Sequence, residues 1–178
     1  SIKGRPEQAV LLMGHLGVKR DDTDFPALLV LDRILGHAAG LSDRLNARLR
    51  EKEGLAYSVY ASITAGAGML PGLFTVEVAT SNDRVRRAEL CIREELDRLR
   101  SRAAPAAEVA RARAVVAGGL LMHAETNAAR CRLLIDMERF GWAPADLLEQ
   151  VHGVGPSDVR RAARRHLRPD DLCRVVAS

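Results

Sequence analysis

The order of elements in this chain predicts an α+β domain: one largely antiparallel sheet with helices packed on it. Three observations carry that expectation. Two alternating stretches, from Tyr57 to Ala65 and from Gly72 to Thr80, flank Gly66-Ala67-Gly68 and form a hairpin. After it, Val85, Ala88, Ile92, Leu96 and Leu99 recur at the three-and-four spacing of a helix with one buried stripe. Apolar strand-like segments also stand near both ends of the chain, Gln8 to Val18 and Leu172 to Val176. The succession strand, helices, hairpin, helices, strand belongs to segregated rather than alternating α and β.

Taken in order, Gln8 to Val18 (QAVLLMGHLGV) is apolar enough to be expected buried on both faces. His15 within it is expected to be a hydrogen-bonded structural residue rather than a ligand, because no partner histidine stands at helical spacing. Pro26 suits the first turn of a helix reaching Leu35, apolar nearly all round and therefore buried. A helix from Ser81 or Asn82 to about Arg102 follows the hairpin, its arginines and glutamates forming a solvated face. Pro105 starts a helical stretch to about Phe140, with a bend or break expected at Gly118-Gly119. Within it His123, Asn127 and Cys131 share a face, read as core-facing rather than metal-binding for want of a third good ligand. Trp142 is expected to anchor the loop after Gly141; short helices from Pro144 and Pro156 then lead to the last strand.

Composition bounds the rest. At 178 residues the chain reads as a single domain, 1–178, able to bury roughly 70% of its unfolded surface. Of 27 basic residues only Lys3, Lys19 and Lys52 are lysines, an arginine bias that points to codon usage more than to a nucleic-acid footprint. Arg160, Arg161, Arg164, Arg165 and Arg168 fall on one side of the last helix, expected as a solvated basic face; aromatic stacking residues are missing there. Cys91, Cys131 and Cys173 include no CxxC pair and read as free, mostly buried thiols. No apolar run reaches the roughly 18 residues that span a bilayer. Ser1 in place of a start methionine suggests a fragment, so the compartment stays open between bacterial cytoplasm and periplasm.

The stretch Leu35–Ala61, LGHAAGLSDRLNARLREKEGLAYSVYA, carries the chemistry. Ser42 is the expected N-cap of a short helix whose Leu45 and Leu49 face inward, and Gly54 suits the left-handed residue that ends it. Beyond the glycine, Tyr57, Val59, Ala61 and Ile63 alternate with Ser58, Tyr60, Ser62 and Thr64. A reversal at Gly54 would bring Arg50 and Tyr57, a guanidinium and a phenol, to one corner where both could donate to a carbonyl oxygen or an oxyanion. On these residues alone Arg50 reads as solvated or capping. Tyr57 reads as core-facing, because it shares parity with Val59, Ala61 and Ile63.

Asp43-Arg44-Leu45 through Leu49-Arg50-Glu51-Lys52-Glu53-Gly54-Leu55-Ala56-Tyr57-Ser58-Val59 resembles the second half of the insulinase (pitrilysin) family of zinc metallopeptidases. In that family a similar run follows a glycine-rich loop. Here Asp43 replaces a usual serine, and His37-Ala38-Ala39 interrupt the glycines. The resemblance implies the processing-peptidase-like half-domain fold and reverses the reading of the corner. It implies that Arg50 and Tyr57 are the site residues, contacting a peptide substrate in trans to a zinc held by an N-terminal catalytic half or a partner subunit. The inverted motif H-x-x-E-H that holds this family's zinc is absent: no two of His15, His37, His123, His152 and His166 are four apart. This chain alone is therefore expected to bind no catalytic zinc and to cleave nothing. An inert structural subunit of the same fold, as in the core proteins of a respiratory complex, is the alternative, and a nucleic-acid-binding module on the Arg160–Arg168 face is a weaker third. Whether the protein forms a homodimer stays open.

Overall fold

The computed structural model describes residues 8–37, 43–122, 126–141 and 143–178. Four strands form one sheet in the order β2-β3-β1-β4, with every pair antiparallel: β1 Gln8–Leu16, β2 Ala56–Ser62, β3 Leu73–Ser81 and β4 Cys173–Ala177. The helices are α1 Phe25–Leu35, α2 Arg44–Asn46, α3 Val85–Ser101, α4 Ala106–Met122, α5 Asn127–Phe140, α6 Pro144–Gly153 and α7 Pro156–His166. α2 runs without a break into a π-helical turn, Ala47–Lys52, and a short 3₁₀ turn, Pro169–Asp171, precedes β4. The expected α+β layout is the one observed.

One face of the sheet makes the core. Ala9, Leu11 and Met13 of β1 alternate inward beside Phe74, Val76 and Val78 of β3 and Val59 and Ala61 of β2, all buried. α1 lies against β2 and α3 against β1 and β3, while α7 packs on both helices and α4 and α6 cover α1 from outside. Each such large aliphatic side chain contributes about 1.5–3 kcal/mol by leaving water, so the inward half of every strand is strongly specified.

The other face differs from expectation. Val10, Leu12 and Leu16 are 41%, 41% and 59% exposed, so β1 is buried on one face only. The helices that contact the strands, α1, α2 and α3, pack against the buried face, and apolar residues on both faces of a strand do not by themselves supply a second layer to cover them.

α1 is buried nearly all round, as its sequence implies, and it hides one carboxylate that periodicity did not single out. Asp32 is 1% exposed. It accepts from the Ser62 hydroxyl (2.6 Å), the backbone N–H of Ile63 (2.8 Å) and of Thr64 (3.1 Å), and the Thr64 hydroxyl. These bonds fasten α1 to the end of β2. Burial pushes the Asp32 carboxyl up, and the four donors offset only part of that push.

α4 runs through Gly118 and Gly119 as helix, so the expected break is not at the glycines; α5 starts anew at Asn127 behind its cap Thr126. The cost of a helical glycine, up to about 1 kcal/mol, is small enough for tertiary packing to absorb. α5 buries none of its residues, and Asn127 and Cys131 are exposed, so the stripe expected through them does not face the core. His123 and Trp142 lie outside the described residues. Of the thiols only Cys91 is buried; Cys131 and Cys173 are exposed. No helix among the described residues is long and apolar enough to cross a membrane.

Candidate functional site

The corner after α2 begins with a cap. Ser42 lies outside the described residues, and the observed N-cap is Asp43, whose carboxylate accepts from the backbone N–H of Asn46 at 2.9 Å and from its side-chain amide. Leu45 and Leu49 are fully buried and pin the helix to the core. The chain then widens into the π-turn, where the Glu53 N–H reaches back to the Arg48 carbonyl (3.0 Å) and the Leu55 N–H to that of Leu49 (2.7 Å). Gly54 adopts φ +59°, the left-handed conformation that suits glycine at a helix stop. Such π-turns concentrate at functional sites because the inserted residue re-aims its neighbours.

A second irregularity follows three residues later. Ala56 pairs with Thr80, but Ser58 pairs with Ala79, so Tyr57 is the extra residue of a β-bulge. The parity that places Tyr57 with Val59 and Ala61 is broken at that point. The phenol is 83% exposed instead of buried. The bulge is held from beneath by the Thr80 hydroxyl, which donates to the Leu55 carbonyl (2.5 Å), and by Arg84, which donates to the Gly54 carbonyl (2.7 Å).

The two irregularities bring the two sequence-predicted residues together. The Arg50 guanidinium carbon lies 5.8 Å from the centre of the Tyr57 ring, a cation–π contact. Arg50 is exposed and makes no ion pair among the described residues. Beside them a cleft of about 380 Å³ is lined by Gln8, Gly54, Leu55, Tyr57, Thr80 and Arg84. Arg84 was not anticipated: it stands 34 positions from Arg50 in sequence, and only the β2–β3 pairing brings it to the corner. The result is two arginines and a phenol gathered at one corner, with Arg84 committed to the Gly54 carbonyl and Arg50 and Tyr57 turned to solvent.

Residues 1–116 match the peptidase M16 inactive domain. The chain belongs to that family. The M16 inactive domain seen here is also 34% identical over 167 residues to an uncharacterised zinc protease of Streptomyces coelicolor, covering 92% of this chain and 35% of that protein. A solved M16 inactive domain from Pseudomonas fluorescens superposes with a TM-score of 0.80 at 26% identity, over 96% of this chain and 40% of that one. A chain of complex III2 from Candida albicans shares the fold alone, at 15% identity and a TM-score of 0.74, over 96% of this chain and 43% of that one. The domain thus spans little more than a third of its curated relative.

The residues of this M16 domain do not fit a catalytic zinc. H-x-x-E-H is absent from the sequence. Among the described residues, Asp22, Asp24 and His166 form a cluster of ligand-type groups within 4.8 Å of one another. Two cations already occupy it, since Arg161 and Arg165 pair with Asp24 at 3.4 and 3.3 Å, and His166 Nε2 lies 3.0 Å from the same carboxylate. Burial pushes Asp24 up, but the His166 hydrogen bond and the charges of His166 and Arg161 outweigh it and hold the carboxyl below its ordinary range. The cluster ties α7 to the start of α1.

The arginine face of α7 is accordingly not simply solvated. Besides Arg161 and Arg165, Arg168 donates its backbone N–H to His15 Nε2 (3.2 Å) and its guanidinium to the Leu16 carbonyl (2.6 Å). His15 is the hydrogen-bonded structural residue expected, its Nδ1–H donating to the Leu16 carbonyl at 2.9 Å. Only Arg160 and Arg164 of the five are exposed and unpaired among the described residues.

Proposed function

We propose that this M16 domain is the non-catalytic half of a zinc metalloendopeptidase, closing the substrate chamber and presenting Arg50 and Tyr57 to the peptide backbone at the scissile bond. The observation that carries this reading is the bulge at Tyr57. A folding-driven strand would have buried the ring with Val59; the extra residue turns it outward beside a guanidinium that makes no ion pair among the described residues. Both groups donate only, or donate readily, and both suit a carbonyl oxygen gaining negative charge. The cost of one such donor is about 10²–10³ in kcat. Zinc belongs to the catalytic half, on the same polypeptide or a separate subunit, and this chain's part is to bind, orient and stabilise.

The test is hydrolysis of a quenched peptide library by the full-length protein, with its partner if separate, comparing wild type with Arg50→Ala and Tyr57→Phe at verified zinc content. A large fall in kcat with zinc retained supports the assignment. Full activity in both variants removes the proposed roles. A zinc-loaded wild type without activity favours the inert structural subunit, a reading compatible with the fold shared by the complex III2 chain.

A further inference from the structure

We infer that the open face of the sheet carries a second peptide-binding feature: an apolar pocket at Gly14 that takes one bulky hydrophobic side chain of the substrate, about six residues from the bond held at Arg50 and Tyr57. The inference rests on the peptidase reading above and adds a substrate class to it.

The pocket follows from the register. On the open face Gly14 stands between Leu12 and Leu16 along β1, with Leu73 on β3 and Cys173 and Val175 on β4 to either side. A Cβ at Gly14 would lie 2.4 Å from the Phe74 carbonyl oxygen, so the position requires glycine and no side chain fills the space above it. The remaining hollow has a volume of about 300 Å³; Leu12, Leu16, Leu73 and Val175 wall it, with Thr75 and Cys173, the cross-strand partners of Gly14, beside its floor. Leu16, Leu73 and Val175 are 59%, 56% and 61% exposed, a cluster of apolar surface unlike isolated surface leucines.

The occupant follows from continuity with the corner. Gln8 lines the Tyr57 cleft, and Gly14 is six residues further along the same face of the same strand. At about 3.3 Å per residue the pocket lies roughly 20 Å from the corner. An extended peptide laid along the strands covers that distance in about six residues, so one chain can engage both features. Among the described residues no Asp, Glu, Lys or Arg lines the hollow and most of its lining is apolar, so its ligand is an aliphatic or aromatic side chain.

The experiment uses the full-length protein and quenched peptides that share one cleavage site and place Leu or Asp five to seven residues from it, on either side. Expected is a KM roughly tenfold lower for Leu than for Asp on one side, from burial of one aliphatic side chain, with kcat unchanged. Val175→Asp, at an exposed position of an edge strand, should abolish that preference. A parallel readout needs no turnover: a Leu peptide with a reduced, non-hydrolysable bond should slow maleimide labelling of exposed Cys173, read by peptide mapping, and its Asp counterpart should not. Equal KM for both peptides, or a preference that survives Val175→Asp, overturns the pocket. Cys173 protected without any peptide also overturns it, and marks the face as covered by a second copy or by the catalytic half. Loss of kcat in Arg50→Ala without a Leu preference keeps the chamber role and removes only the pocket; a Leu preference with Arg50→Ala fully active does the reverse.

Discussion

The two ends of the sheet treat their arginines in opposite ways. At the Leu16 end of β1, every basic group that meets the strands has a partner: Arg168 bonds His15 and the Leu16 carbonyl, while Arg161 and Arg165 share Asp24 with His166. At the opposite end Arg50 lies against the Tyr57 ring and makes no ion pair among the described residues, while Arg84 donates to the Gly54 carbonyl and stands 4.0 Å from the exposed Asp83 carboxylate. Five arginines clustered in and just after α7 look like a binding surface in one dimension, and three of them prove to be structural fastening. A lone arginine at a helix stop looks ordinary and is left available beside a cleft. Pairing, not density, separates the two.

The largest effect that could break this comparison is on catalysis at the unpaired end. Arg50→Ala and Tyr57→Phe should each lower kcat by about 10²–10³, or roughly 3–4 kcal/mol of transition-state stabilisation. Because both side chains are exposed, the urea midpoint of unfolding should stay unchanged in each variant. A fall in stability that matched the fall in rate would mean that the corner is fastening, like the other end.

The converse substitution is Asp24→Asn. It leaves His166, Arg161 and Arg165 without their shared carboxylate, a loss of hydrogen bonds to a charged group at a site only 4% exposed. The expected cost is about 2 kcal/mol in chemical denaturation, held down because both arginines are largely solvated, with kcat unaltered. A silent Asp24→Asn would make those ion pairs incidental.

Acidification sharpens the contrast further. Burial lowers the His15 pKa from its ordinary value, aided by the nearby Arg168 charge and opposed by the Leu16 carbonyl and Asp171. The neutral ring is the form the fold needs, since its Nε2 accepts from Arg168. Its contribution is therefore complete above the ordinary imidazole pKa of about 6.5 and is lost as pH falls through the lower folded value. Asp24, also depressed, acts in a separate and more acidic window, contributing above an ordinary carboxyl pKa of about 4 and failing below it. Urea midpoints measured from pH 7.5 to 5 should fall in wild type and fall less in His15→Gln. Part of the slope should survive that substitution, because burial also lowers His37 against the opposing charge of Asp32. An unchanged slope in His15→Gln would exclude the histidine as its source.

What the sequence made legible was whatever is local. The hairpin, the stripe of α3 and the proline starts of α6 and α7 show themselves within a few residues, because period and turn chemistry are local properties. The Asp32 anchor was invisible, since its partners Ser62, Ile63 and Thr64 stand some thirty positions away. The open face of β1 was misread for a related reason: hydrophobicity records what a strand could bury, not whether a second layer arrives. Tyr57 is the instructive case. Its parity conflicted with an outward role, and that conflict was the trace of the bulge, which inserts one residue and so leaves no mark in sequence except a broken alternation.

The smallest expected effect lies within α7 itself. Arg160 and Arg164 are exposed and unpaired among the described residues, so the charge they carry does no fastening. The double substitution Arg160→Gln with Arg164→Gln should change stability by no more than about 0.5 kcal/mol and leave peptide hydrolysis at the wild-type rate. It also separates unpaired from functional: both of these arginines and Arg50 lack carboxylates, but only Arg50 stands beside a bulged tyrosine at the rim of a cleft. If the α7 pair reduced hydrolysis as strongly as Arg50→Ala, absence of a partner would be the whole signal and the corner's geometry would count for nothing. Wild-type rates in the double variant, measured beside a crippled Arg50→Ala, leave the geometry at Tyr57 as what distinguishes the site.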